Sequence, residues 1–71
     1  MICQRCNGQG EIYKAKVKNL GITLYICDEC EACWDEDSNI ELSTFQDLST
    51  FLEQKGTSYN DADIEDLGYN W

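Results

Sequence analysis

Alternation organises the first half of the chain. From Glu11 to Lys18, Tyr13, Ala15 and Val17 fall on one side of an extended segment, and Ile12, Lys14, Lys16 and Lys18 on the other. That period of two is the mark of a half-buried strand. Asn19-Leu20-Gly21 predicts the turn, since Asn and Gly tolerate positive φ. Ile22-Thr23-Leu24-Tyr25-Ile26 is rich in β-branched and aromatic residues and predicts the returning strand. Ala32-Cys33-Trp34 predicts a short third strand, on which Cys33 and Trp34 point to opposite faces.

The period changes in the second half. Asp35-Glu36-Asp37-Ser38-Asn39 reads as an acidic turn and Ile40-Glu41-Leu42 as a brief extended link. Ser43-Thr44-Phe45-Gln46 has the capping-box form, a hydroxyl followed three residues later by Gln. From there Phe45, Leu48, Phe51 and Leu52 fall within about 120° of one helical face, as expected of a helix packed on a core. Gly56 supplies the stop, and the stripe is expected to lie on the uncharged face of the hairpin. A second, acidic helix is expected within Thr57–Trp71. Asn60 would cap it, Asp61 and Asp63 would occupy its first turn, Ile64 and Leu67 lie three apart, and Gly68 would end it.

A chain of 71 residues buries little apolar surface, and folds of this size usually carry a staple. The cysteines offer one. Cys3-Gln-Arg-Cys6 and Cys27-Asp-Glu-Cys30 are two C-x2-C pairs separated by a length that suits a hairpin. Each such turn aims two thiolates at one point, and two turns supply the four sulfurs of a closed, tetrahedral Zn2+ site. Disulfides fit poorly: the cysteines number five, and Met-Ile-Cys opens the chain without the features of a secretory leader. The expectation is a reduced, cytoplasmic protein with structural zinc on Cys3, Cys6, Cys27 and Cys30. C-x2-C-x2-C at 27, 30 and 33 is faintly similar to iron–sulfur ferredoxins, but the fourth cysteine and proline of that run are absent. Cys33 is therefore expected to be a packed or half-exposed bystander, and Trp34 to cover the metal site or the hairpin. The expected fold is a small metal-stabilised α+β domain spanning 1–71. A zinc-ribbon hairpin with a short third strand (1–34) precedes a helical part (40–71) packed on it, with one amphipathic helix and a short acidic C-terminal helix.

Charge divides the chain. Residues 1–26 carry net +3, and residues 27–71 carry thirteen carboxylates against Lys55 alone, for a total of −9. Four thiolates and one Zn2+ would bring the loaded protein to about −11. Such a field repels nucleic acid and anionic membrane and attracts basic proteins. No apolar run is long enough to span a membrane. The candidate partner-binding residues are Asp35, Glu36 and Asp37, then Asp61, Asp63, Glu65 and Asp66 beside the terminal aromatics Tyr69 and Trp71. Lys14, Lys16 and Lys18 read as a solvated face, as a weak phosphate-binding stripe, or as partners for the chain's own acidic half. No histidine is present, no Ser or Thr has a plausible base, and four thiolates would leave no open position on the metal, so an enzyme is not expected. The rival function is a zinc-ribbon adaptor that touches nucleic acid or a transcription or translation assembly through Arg5 and the lysine stripe.

Two resemblances follow from the motifs. Cys3 to Gly10 has the form CxxCxGxG and resembles one repeat of the DnaJ-type zinc module, but the second pair continues Cys30-Glu31-Ala32-Cys33 without the glycines, and no chaperone function is carried over. Over nearly the full length the chain resembles the small zinc-ribbon immunity proteins encoded beside toxins of bacterial contact-dependent growth inhibition and related polymorphic systems. The residues that carry this likeness are the CxxCxGxG opening, Tyr13-x-Ala15-Lys16 in the first strand, Tyr25-Ile26-Cys27-Asp28-Glu29-Cys30-Glu31-Ala32 with Trp34, the Ile40-Glu41-Leu42 link and the Phe45-to-Gly56 stretch. At the place of Cys33 a small polar residue such as Thr is expected. The resemblance implies an antitoxin of the bacterial cytoplasm that binds and neutralises one cognate toxin domain, with a basic nuclease as the expected target.

Overall fold

Strands β1 (Ile12–Val17) and β2 (Ile22–Cys27) form the antiparallel hairpin that the alternation predicts, with Ala15 opposite Leu24 and Ile12 opposite Cys27. The chain is described by a computed structural model covering residues 1–37 and 39–71. Ser38, part of the expected acidic turn, lies outside the described residues. Strand β3 (Ala32–Asp35) pairs with β2, a two-residue β4 (Gln46–Asp47) pairs with β3, and β5 (Ile64–Asp66) pairs with β1. The antiparallel sheet has the order β4-β3-β2-β1-β5, and one short helix, α1 (Leu48–Gln54), follows β4 directly.

Strand alternation sorts the apolar residues onto two faces. Ala15, Val17, Leu24, Ile26 and Cys33 pack with Leu48, Phe51 and Leu52 of α1. Cys3, Ile12, Cys27, Ala32 and Trp34 form the second cluster, with Ile40 and Phe45 packed against it. The helix therefore lies on the face that bears Ala15 and Val17, away from Lys14 and Lys16, as the pattern predicts. On the opposite face the connection after β3 crosses Trp34, whose indole Nε1 donates to Glu41 O at 2.9 Å.

Three expectations need correction. Helix α1 begins at Leu48 rather than Phe45, and its N-cap is Asp47, without a side-chain cap hydrogen bond. The capping box does not form because Gln46 and Asp47 pair with β3, while the Phe45 ring packs on the opposite side of the sheet from α1. Thr44 serves a turn instead, its Oγ1 donating to Asn39 O at 2.8 Å.

The acidic C-terminal helix is also overturned, so that α1 is the one helix among the described residues of 40–71: Ile64–Asp66 is a strand. The open edge of β1 offers backbone partners that an isolated acidic segment cannot match by helix formation, since Ile64 and Leu67 alone make too narrow a stripe. Leu67 is exposed. In place of Asn60, Ser58 makes the local turn, its Oγ accepting from Asp61 N at 3.2 Å.

Third, the expected boundary between ribbon and acidic turn moves by one residue, because Asp35 belongs to β3 opposite Leu24. Among the described residues, no helix is long and apolar enough to cross a membrane.

Candidate metal centre

Two tight turns meet at one end of the hairpin. In the first, Gly8 N donates to Cys3 O at 3.0 Å and Gln9 N to Cys6 O at 3.2 Å, while Cys3 N donates to Gly10 O at 3.0 Å. This closes residues 3–10 on themselves, and the bridge between Ile2 and Glu11 continues the closure into β1. The second turn follows β2 directly. In both, the residue after the second cysteine is left-handed: Asn7 at φ 56° and Glu31 at φ 59°. Asn tolerates that conformation, and the first turn continues through Gly8 at φ 81°, which a side chain would strain. Gly10 is required for a different reason. A Cβ there would lie 2.5 Å from Cys27 Sγ and 2.9 Å from Glu29 Cβ, so the two turns approach as closely as they do only over a bare backbone.

The sulfurs of Cys3, Cys6, Cys27 and Cys30 all lie within 4.8 Å of one another. Cys3 Sγ is 3.7 Å from Cys30 Sγ, and Cys6 Sγ is 3.6 Å from Cys27 Sγ. Those separations exceed a disulfide bond of about 2.05 Å, and all five cysteines are free thiols. They match the edge of a sulfur tetrahedron, about 3.8 Å for metal–sulfur bonds of about 2.3 Å. Cys3 and Cys27 are fully buried, and Cys6 and Cys30 are partly so. The four could hold a metal ion. The donor set suits zinc, which takes thiolates tetrahedrally without preference imposed by d-electrons.

Crowding sets the protonation of the thiols. Burial pushes Cys27 up to about 12 and also raises Cys6. Burial acts in the same direction on Cys30, but hydrogen bonds from the Ala32 backbone and the neighbouring thiols outweigh it and leave Cys30 below the ordinary thiol value. Four sulfurs this close cannot all ionise by themselves. A divalent cation that binds here displaces protons, so affinity falls as pH falls.

Cys33 is not part of this cluster. It is 1% exposed on the face covered by α1, among Leu24, Ile26 and Leu52. Burial, with the nearby Asp47 carboxylate, pushes its thiol up to about 12. Trp34 shares the apolar cluster of Cys3 and Cys27.

The acidic residues singled out in the sequence form two groups. Asp35 on β3 and Asp66 on β5 occupy one cross-strand row with Leu24 and Ala15 between them. Three strand spacings put them about 14 Å apart. Glu36 and Asp37 follow Asp35 on the exposed turn. Asp61 accepts a hydrogen bond from Ser58 Oγ at 2.9 Å, Asp63 N donates to Asn19 Oδ1 at 3.1 Å, and Glu65 lies 3.8 Å from Lys18 Nζ. Tyr69 and Trp71 are partly committed to the sheet. Tyr69 Oη donates to Asp28 Oδ2 at 2.9 Å, which pushes the phenol up to about 12. Trp71 Nε1 donates to Ile12 O at 3.1 Å, and its ring lies 4.4 Å from that of Tyr25. Both aromatics remain about two-fifths exposed.

Two contacts have no counterpart in the sequence reading. Arg5, between the first two cysteines, donates to Cys30 O at 3.3 Å, pairs with Asp47 at 3.4 Å and stacks on Phe45 at 4.5 Å, linking the cysteine cluster to the start of α1. Asp28, inside the second C-x2-C pair, accepts both Tyr69 Oη and Glu11 N. Residues 41 positions apart carry no local signal of such a pairing. Comparison with protein-family models, curated proteins and solved structures finds no match for the chain.

Proposed function

We propose that Cys3, Cys6, Cys27 and Cys30 hold one structural Zn2+, and that the ribbon so stapled is an acidic inhibitor: an immunity protein that binds and neutralises a basic toxin domain in the bacterial cytoplasm. The observation that carries the partner's sign is the cover over the lysine strand. Acidic β5 pairs along β1, with Glu65 opposite Lys16 and in contact with Lys18. Arg5 is held by Asp47, and Lys55 lies over the Phe51 ring. Arg5 and Lys18, two of the five cations, are thus paired within the chain, while Asp35, Glu36, Asp37, Asp61, Asp63, Glu65 and Asp66 stand on exposed positions. A surface of that sign favours a basic cleft, speeds the encounter and excludes nucleic acid and acidic competitors. The sequence resemblance supports the same role.

Charge reversal tests it. Changing Asp61, Asp63, Glu65 and Asp66 together to lysine should leave one zinc per chain. It should also slow association with the toxin domain encoded beside the gene by about tenfold or more at low salt, with the salt dependence of the rate lost. Unchanged association would remove the acidic segment from the interface. Tight nucleic-acid binding by the unaltered protein, abolished by changes at Lys14, Lys16 and Lys18, would favour the adaptor function instead.

A further inference from the structure

The two edges of the sheet differ. At one, β4 has only two residues, Arg5 reaches Asp47 beside it, and the chain turns at once into α1, where Leu48 N donates to Glu31 O at 3.0 Å. At the other, β5 is paired on one side alone. The ladder fixes which backbone groups face which way. Lys18 N donates to Asp63 O at 2.8 Å, Leu67 N donates to Lys14 O at 2.8 Å, and Lys16 stands opposite Glu65. Asp63, Glu65 and Leu67 therefore turn their backbone groups inward. By strand alternation, Ile64 and Asp66 turn their N–H and C=O outward. Glu65 and Asp66 are exposed and project to opposite faces, and Asp61 and Asp63 precede them.

We propose that this outer edge of β5 is where the partner docks, by adding an extended segment bearing lysine or arginine as a sixth strand. The inference rests on the acidic-inhibitor reading and specifies its contact. Main-chain hydrogen bonds to Ile64 and Asp66 supply geometry, and alternate side chains of the added strand meet carboxylates on both faces. Charge complementarity selects this occupant. A second copy of the chain pairing antiparallel edge to edge would set Glu65 against Glu65, Asp66 against Asp66 or Glu65 against Asp63, according to register, and like charges directly opposite each other are destabilising.

The probe is a cyclic β-hairpin peptide whose free outer strand alternates lysine and valine. Its twin carries N-methyl groups on the outward amides of that strand, which keeps the charge and blocks pairing. Binding of the first peptide to the zinc-loaded protein should slow amide exchange at Ile64 and Asp66. The methylated twin should bind about tenfold more weakly, the effect of losing roughly one or two net hydrogen bonds. Asp66→Pro removes an outward N–H and leaves the inward ladder, so it should weaken binding beyond Asp66→Asn, which removes only the charge. Should the proline variant misfold, the two peptides still decide the matter on the unaltered protein. Equal binding of both peptides would overturn the edge inference and leave the acidic reading standing. Binding of neither at low salt would overturn both.

Discussion

Gly10 and Cys33 mark the two ways in which single positions constrain this small protein. At Gly10 the constraint is space: a methyl group would collide with Cys27 Sγ and Glu29 Cβ, both parts of the second turn. Overpacking typically costs about 1–3 kcal/mol, and here the strain falls on a proposed ligand. Gly10→Ala is therefore expected to lower metal affinity and stability together, measured by competition with a chromophoric chelator and by thermal unfolding.

At Cys33 the constraint is burial. Its thiol is raised from 9.0 to about 12, so the folded chain holds that proton more tightly than the unfolded chain. The resulting stability is fully present below pH 9 and is lost as pH rises towards 12. Cys33→Ala should retain one zinc per chain and show a shallower alkaline fall in stability, read from denaturant titrations across pH 8–11. Loss of metal in that variant would contradict the assignment of Cys33 to the core. The clustering of Cys3, Cys6, Cys27 and Cys30 and the packing of Cys33 in the core were legible because C-x2-C spacing and strand alternation are local signals. Arg5 over Phe45 and Tyr69 on Asp28 were not, because each depends on segments brought together only by the sheet.

Among the elements, the hairpin was the most legible, since Tyr13, Ala15 and Val17 alternate cleanly and Ile22–Ile26 is rich in strand formers. The face chosen by α1 was legible for a related reason: Leu48, Phe51 and Leu52 had one uncharged surface to cover. Its first turn was misread because Phe45 fits the helical period equally well, yet its ring packs against the cluster of Cys3, Cys27 and Trp34. The C-terminal strand was misread because a segment of Asp61-Ala-Asp63-Ile-Glu65-Asp66 has no strand signature of its own. It is extended because β1 has a free edge, Lys18 offers a charge partner, and Asn19 holds Asp63.

These elements should differ in what they contribute to stability. Leu52 is completely buried under the sheet, and Leu52→Ala is expected to cost about 2–5 kcal/mol. Trp71 makes one stack and one hydrogen bond while remaining partly exposed, so Trp71→Ala should cost about 1–2 kcal/mol. Denaturant unfolding of the zinc-loaded variants measures both, and a reversed order would mean that the tail, not α1, organises the sheet.

For the molecule as a whole, the four-cysteine end and the acidic edge are joined through short paths. The tail contacts Asp28, Ile12 and Tyr25, each next to or near a proposed ligand. Arg5 connects the first cysteine turn to β4 and α1. Structural zinc contributes on the order of 10–16 kcal/mol of apparent binding energy at neutral pH, more than a domain of this size usually has in net stability. The sheet, the helix contact and the docking edge should therefore depend on the ion.

Zinc-edge X-ray absorption, with metal content measured on the same sample, addresses that dependence at its source. One ion per chain with four sulfur neighbours at about 2.3 Å is the predicted result. A folded chain without metal, or a shell containing nitrogen or oxygen in place of sulfur, would contradict it.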